Sequence, residues 1–186
     1  MRVTPTELDG VLVIEPKVFG DDRGFFLETY RRDRYREAGI PYEFVQDNHS
    51  RSNKGVLRGL HFQEPTPQGK VVRVVRGAIF DVAVDIRRGS PGFGRWTGVE
   101  LTGDNHRQIW IPPGFAHGFL TLIDATHVSY KCTDYYAPQH ERTLLWSDPG
   151  IGIVWPGLNA APQLSANDAA GVLLSEAKIL PAYAGK

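Results

Sequence analysis

The stretch from Lys70 to Ile86 constrains the fold of this chain more than any other. Phe80, Val82, Val84 and Ile86 alternate with Asp81, Ala83 and Asp85. That period of two predicts a half-buried β-strand rather than a helix. Just upstream, Val71-Val72 and Val74-Val75 form a second apolar run that stops at Gly77. Two short apolar runs, at Val11–Ile14 and Val18-Phe19, suggest a further strand, Trp96–Leu101 is strand-like, 126–136 alternates and places Tyr130 on a strand, and Ile151–Val154 reads as a last strand. Twenty Gly and thirteen Pro spread over 186 residues keep these runs short. Pro16 and Gly20 interrupt the N-terminal pair of runs, which places them near a sheet edge or a subunit interface. Residues 44–54, FVQDNHSRSNK, are polar and read as a loop or strand end. Only two helices are expected. One covers residues 31–39 and stops at Gly39, and the other runs from Ser165 to about Lys178. Many short strands with two short helices predict an all-β sandwich or barrel, in one domain over residues 1–186.

Charge excludes some partners. Lys+Arg and Asp+Glu balance at 21 each, so no global basic field draws in nucleic acid or an anionic membrane. An anionic small molecule would need a local cluster instead. Arg23 supplies one such charge, in the turn Asp21-Asp22-Arg23-Gly24 between Phe19 and Phe25. The plain reading is a surface turn beside core aromatics. The functional one is a binding lip, with arginine for a phosphate and aromatics for a flat ring. The single Cys132 cannot form an internal disulfide and suits a reducing compartment. No basic-then-apolar leader opens the chain and no apolar run reaches membrane-spanning length, so the expected location is the cytoplasm.

The chemistry concentrates around two histidines. His61 is followed by the turn Pro65–Gly69 and then by Lys70, which predicts that the two lie on neighbouring strands and face one pocket. Pro112-Pro113-Gly114 makes a tight turn that delivers His117 into an apolar segment. These spacings resemble the cupin signature: Gly55, His61, Lys70 and Gly77 follow its first motif, and Pro112, Gly114 and His117 its second. Two of the positions that hold a metal in cupins are changed, however, to Gln63 and Lys70. Two histidines beside an ammonium are a poor cation cage, so no metal is expected. A histidine beside a fixed positive charge suits proton abstraction α to a carbonyl, because the enolate oxygen needs a preorganised cation. Lys70 and Arg58 are the candidates. Arg58 would start on the opposite strand face from His61 unless a bulge at Gly59 realigns them. A carboxylate should orient the His61 ring, but spacing does not say which one. Plain roles compete at each position: a hydrogen-bonded core residue for His117, a half-buried aromatic for Tyr130, and a capping box with Ser165 for Asp168. Asp85 and Asp148 read as strand-end and turn residues.

Four strings go further: Val56–Gln63 (VLRGLHFQ), Phe80–Arg87 (FDVAVDIR), Ile111–Phe119 (IPPGFAHGF) and Tyr130–Tyr136 (YKCTDYY). Together they closely resemble the dTDP-4-dehydrorhamnose 3,5-epimerase family, from about Val11 to Leu174. The resemblance implies a cupin-type jelly-roll barrel over about 11–157 with short flanking helices and a C-terminal helical segment over about 165–178. It implies a homodimer that needs neither metal nor organic cofactor. It also implies inversion of C3 and C5 of dTDP-4-dehydro-6-deoxy-D-glucose, in dTDP-L-rhamnose biosynthesis. By the same resemblance His61 is the base and Asp168 its dyad partner. Lys70 and Arg58 stabilise the C4 enolate, and Tyr130 is the acid on the opposite face. Glu28, Gln46, Asp47, Asn48, His117 and Glu141 match nucleotide-sugar contacts. Phe19, Arg23 and Phe25 match a segment that reaches into the partner's site. Asn167 stands where many relatives carry a lysine, which implies one lost charge contact to the nucleotide. The alternatives are a relative that epimerises C3 or C5 alone in natural-product glycosylation, and a cupin that only binds sugars.

Overall fold

In the computed structural model, residues 1–158 and 160–185 are described. The chain opens with β1 (Arg2–Pro5) and β2 (Leu12–Glu15), followed by a hairpin of β3 (Val18–Asp21) and β4 (Gly24–Leu27). Helix α1 (Arg32–Glu37) leads into β5 (Gln46–Ser52), β6 (Leu57–Gln63), β7 (Lys70–Arg76) and β8 (Ala78–Asp85). Strands β9 (Trp96–Thr102), β10 (Gln108–Ile111), β11 (Phe115–Thr121), β12 (Thr126–Cys132) and β13 (Glu141–Thr143) complete the β structure, and α2 (Ala166–Ala169) follows. The first sheet runs β1-β2-β10-β7-β12-β5 and the second β13-β6-β11-β8-β9, while β3 and β4 pair only with each other. Neighbouring strands in these sheets pair antiparallel throughout. The all-β expectation holds.

The two sheets pack face to face. Val72, Val74, Ile109, Ile111 and Val128 of the first meet Ile79, Ala83, Leu101, Phe115 and Phe119 of the second. The outer face of the second sheet is covered as well. Val82, Val84, Ile86, Leu57, Leu60 and Leu120 pack there against Leu144, Ile151, Trp155 and Leu174 of the C-terminal segment. On the first sheet Ile14, Val71 and Trp110 are capped by Tyr35 and Ile40, so α1 is amphipathic rather than merely charged. The alternation read as a half-buried strand is therefore a strand buried on both faces. Its aspartates are buried as well, and each has a partner. Asp85 accepts a bidentate pair of bonds from Arg87, whose guanidinium also lies over Phe115 and Tyr183.

Four expectations are corrected. His61 and Lys70 are joined by a turn, but β6 and β7 belong to different sheets. The chain crosses the sandwich between them, so the two residues face each other rather than lie side by side. Residues 46–52 form a complete strand paired with β12, whose polar side chains hid the pattern. Ile151–Val154 is not a strand. Asp148 organises a turn there, accepting from the Gly150 and Leu174 N–H groups at 2.7 Å each. The helix begun at Ser165 stops at Ala169 instead of reaching Lys178, because the chain turns away to pair Val172 with Leu144. Gly171 allows that approach, since a Cβ there would lie 2.8 Å from the Leu144 carbonyl.

Candidate active site

A cleft of about 350 Å³ opens between the sheets, lined by both. The second sheet contributes Arg58, His61, Phe62 and Gln63 from β6, His117 and Phe119 from β11, and Glu141 from β13. The first contributes Gln46, Asn48 and Ser50 from β5, Lys70 from β7 and Tyr130 from β12, with Gln68 and Tyr136 at the loops.

A bulge brings Arg58 and His61 together. His117 pairs with His61 and Phe119 with Arg58, so Gly59 and Leu60 stand opposite Gly118 alone. Both Arg58 and His61 therefore reach one pocket, as the bulge expectation required. Gly59 adopts a φ of +117°, and a Cβ on it would sit 2.6 Å from Gly118 Cα and the His117 carbonyl. Only glycine fits that contact. Arg58 is steadied by donation from Nε to Ser52 Oγ at 3.1 Å.

His61 Nε2 lies 2.7 Å from Asp168 Oδ1, with the His61 side chain 32% exposed and that of Asp168 4%. Nδ1 is then the ring nitrogen that Asp168 does not engage. Asp168 also completes the capping box. Its Oδ2 accepts from Ser165 Oγ at 2.6 Å and its backbone N–H donates to that same Oγ at 3.1 Å. The cap does not exclude the bond to His61, because the two use different carboxylate oxygens. Burial works against its charge, but hydrogen bonds from His61, Ser165 and the Gly59 N–H outweigh burial and hold Asp168 well below the usual carboxylate range.

Across the cleft Lys70 is 9% exposed. Burial pushes its pKa down, against the opposing influence of Cys132, Asp81 and Glu141. Burial raises Tyr130, which Arg58 partly offsets. The phenol therefore keeps its proton at neutral pH and stands opposite His61 as a donor. His117 is a buried, hydrogen-bonded histidine as its plain reading held, with Nε2 2.9 Å from Asp81 Oδ2, and it also faces the cleft.

Of the residues named from sequence, His61, Lys70, Tyr130, Arg58, Gln46, Asn48, His117 and Glu141 converge here, with Asp168 behind His61. Others do not. Asp47 projects from the outer face of β5 and pairs with Lys131 at 3.0 Å. Glu28 pairs with Arg34 at 2.9 Å. Asn167 lines an adjoining hollow that shares Phe62 and Glu141 with the cleft. Phe19, Arg23 and Phe25 line a separate shallow surface on the β3–β4 hairpin, where Arg23 pairs with Asp21. The lining side chains missed from sequence are Ser50, Phe62, Gln68, Phe119 and Tyr136, and Gln63, noted there only as a changed metal position, lines the cleft too. A period-two reading of residues 46–52 would have found Ser50. Gln63 is tied up by Thr66 and Tyr135 carbonyls and the Ala137 N–H. Among the described residues no three His, Cys, Asp or Glu side chains group as a cation site, and no helix is long and apolar enough to cross a membrane.

The comparisons agree with this geometry. The family described as dTDP-4-dehydrorhamnose 3,5-epimerase matches residues 5–176. The curated dTDP-4-dehydrorhamnose 3,5-epimerase of Pseudomonas aeruginosa is 53% identical over 182 residues, covering 97% of this chain and 100% of that one. A solved dTDP-6-deoxy-D-glucose-3,5-epimerase from Legionella pneumophila, in complex with dTDP-4-keto-L-rhamnose, is 53% identical, with a TM-score of 0.96 and 99% of each chain covered. A 3'-monoepimerase from Streptomyces bikiniensis in complex with dTDP-quinovose is more distant, at 36% identity and a TM-score of 0.90, covering 96% of this chain and 92% of that one. With a histidine–carboxylate pair, a buried lysine and a phenol facing one cleft, and with relatives matching nearly end to end, the chain belongs to the dTDP-4-dehydrorhamnose 3,5-epimerase family.

Proposed function

We propose that the protein takes dTDP-4-dehydro-6-deoxy-D-glucose and inverts C3 and C5 to give dTDP-4-dehydro-L-rhamnose, for dTDP-L-rhamnose biosynthesis. One observation carries the reading: His61 and Tyr130 project into the same cleft from opposite sheets. Inversion requires a proton to leave one face of a carbon and return on the other. In this reading His61 Nδ1 removes the proton, and Asp168 stabilises the resulting imidazolium. Lys70 and Arg58 hold the C4 enolate oxygen. Tyr130 returns a proton from the far wall. The same steps run once at each carbon, since both flank one carbonyl.

The fold is read as a single-domain jelly-roll barrel of cupin type, located in the cytoplasm and acting as a homodimer. Support for the dimer comes from the β3–β4 hairpin. Phe19, Phe25 and Phe26 are 53%, 64% and 70% exposed there, a larger apolar surface than a lone hairpin keeps in water. In a dimer this hairpin lies against the partner's cleft, where Phe19, Phe25, Arg23 and Glu28 meet the nucleotide, and Asn167 borders the same ligand from the adjoining hollow.

The test is incubation with dTDP-4-dehydro-6-deoxy-D-glucose in D₂O, followed by NMR. Deuterium at C3 and C5 with formation of the L-sugar is the expected result. The likeness to a 3'-monoepimerase gives a second reading, inversion at a single centre. Deuterium at only one carbon selects it. Binding without exchange at either carbon removes both.

A further inference from the structure

Part of the cleft rim is built from a segment that has no regular structure of its own. Residues 133–137 lie between β12 and β13 in no strand or helix. Among the described residues, no backbone–backbone hydrogen bond holds residues 134–136. Backbone polar groups need partners, and here side chains supply them. Gln68 Nε2 donates to the Asp134 carbonyl at 2.8 Å. Gln63 Nε2 donates to the Tyr135 carbonyl at 3.3 Å, and its Oε1 accepts from the Ala137 N–H at 2.9 Å. One amide thus grips the chain on both sides of Tyr136.

Gln63 is firmly seated for this. It ends β6, is 5% exposed, and stands directly opposite Glu141 of β13. Its NH₂ also donates to the Thr66 carbonyl at 3.0 Å. The oxygen meets a donor and the nitrogen meets two acceptors, so the network fixes which way the amide points. Turned over, it would set oxygen against two carbonyls. At a position where the cupin metal pattern is changed, the polar atoms are spent on the rim instead.

What the grip holds is Tyr136. That residue is 51% exposed and lines the cleft, so it stands where the cleft opens to solvent. From there it orders three other lining groups. Its OH donates to Glu141 Oε2 at 3.0 Å. Its backbone N–H donates to Gln46 Oε1 at 2.9 Å, and Gln46 Nε2 donates in turn to Asn48 Oδ1 at 3.1 Å. On the roles proposed above, the reacting sugar lies between His61 and Tyr130. The part of the substrate that leaves the cleft past this rim is then the nucleoside diphosphate.

We infer that Gln63 is a positioning residue for substrate binding: it fixes Tyr136 at the mouth of the cleft, and through Tyr136 it presets Glu141, Gln46 and Asn48 for the nucleotide moiety. This rests on the reading of the cleft as the site of a dTDP-sugar. A rim ordered before the ligand arrives costs binding less than one the ligand must order. The reacting atoms are not touched, so the device acts on affinity rather than on the chemical step.

The test is a double-mutant cycle of Gln63→Leu and Tyr136→Ala. It is read as kcat and KM with dTDP-4-dehydro-6-deoxy-D-glucose, as Kd for dTDP by calorimetry, and as Tm. Leucine is close to glutamine in size and makes none of the three bonds. Gln63→Leu should raise KM and the Kd for dTDP about tenfold, with kcat kept within about threefold. Tyr136→Ala should do the same. Because one residue acts through the other, the double variant should bind no worse than Tyr136→Ala alone. A merely structural glutamine lowers the Tm and weakens binding by the same factor in either background, and that additive result overturns the inference. A fall in kcat at unchanged KM in folded Gln63→Leu overturns it, as do an unchanged KM and Kd. Wild-type affinity in Tyr136→Ala overturns it too, even where Gln63→Leu does not fold. A wild type that binds dTDP without turning over the keto-sugar removes the proposed reaction, and the Kd cycle still decides on Gln63. A wild type that binds no dTDP removes both.

Discussion

Asp168→Asn separates the helix cap that Asp168 completes from the dyad role proposed for it. Its two oxygens accept four hydrogen bonds: from His61 and the Gly59 N–H on Oδ1, and from Ser165 N–H and Oγ on Oδ2. An amide accepts on one side only and turns an NH₂ toward donors on the other. Losing a hydrogen bond to a charged acceptor costs about 1.5–3 kcal/mol, and losing the cap about 1 kcal/mol. The expected total of about 3 kcal/mol lowers the Tm by roughly 6–12 °C for a chain of this size. Activity should fall further than stability, because His61 loses both its orientation and the charge that stabilises its imidazolium, a loss of about 10²–10⁴-fold. Ser165→Ala is the control. It removes the cap alone, so a Tm drop of about 2–4 °C with near-normal turnover is expected. The assays are thermal denaturation and deuterium wash-in at C3 and C5. Asp168→Asn with turnover within tenfold of wild type would refute the dyad, whatever its Tm. The pH sign follows from the lowered carboxyl. Its stabilisation is complete above the ordinary aspartate range and fades as the pH falls below it toward the depressed folded value.

Lys70→Met should raise or hold the Tm, since it removes a buried charge without a direct partner, while kcat falls by about 10²-fold or more. A large loss of stability would contradict that account. Tyr130→Phe should retain deuterium exchange at C3 while product formation collapses, read by NMR in D₂O. Full product formation removes the acid assignment. Gly59→Ala should destabilise by more than about 2 kcal/mol in chemical denaturation, because the new methyl meets the backbone of β11 at a φ that disfavours side chains.

The parts of the fold legible in the sequence were those where one face of a strand is apolar. Alternation located β8 and β12, and the proline–glycine turns located the entries to β7 and β11. Two kinds of element escaped. Strand β5 is polar on both faces, because its inner side chains line a wet cleft and its outer ones face solvent. The C-terminal segment carries apolar residues without period, because Ile151, Trp155 and Leu174 cover a sheet as an irregular layer rather than as a strand. In the site, His61, Lys70 and His117 were visible because chemistry-bearing residues sat in apolar surroundings. That His61 and Lys70 come from opposing sheets was not visible, since a turn between two strands reads alike whether they pair or cross over. Asp81 was seen only as the polar half of an alternation, and nothing in its spacing marks it as buried.

The covering of the second sheet by the C-terminal segment sets an order of events during synthesis. All strands of the sandwich precede residue 144, so both walls of the cleft are made before the segment that seals the outer face of β6, β8 and β11. Until that segment emerges, Leu57, Leu60, Val82, Val84 and Leu120 have no cover. Asp168 arrives with it and bonds Gly59 and His61 across more than a hundred residues of chain. The segment that follows the strands thus closes the hydrophobic layer and brings Asp168 to His61 in one docking step. A chain stopped before that segment leaves the outer face of the second sheet bare and aggregation-prone, and on the proposed roles it is inert as well, so catalytic competence becomes a report that the segment has docked.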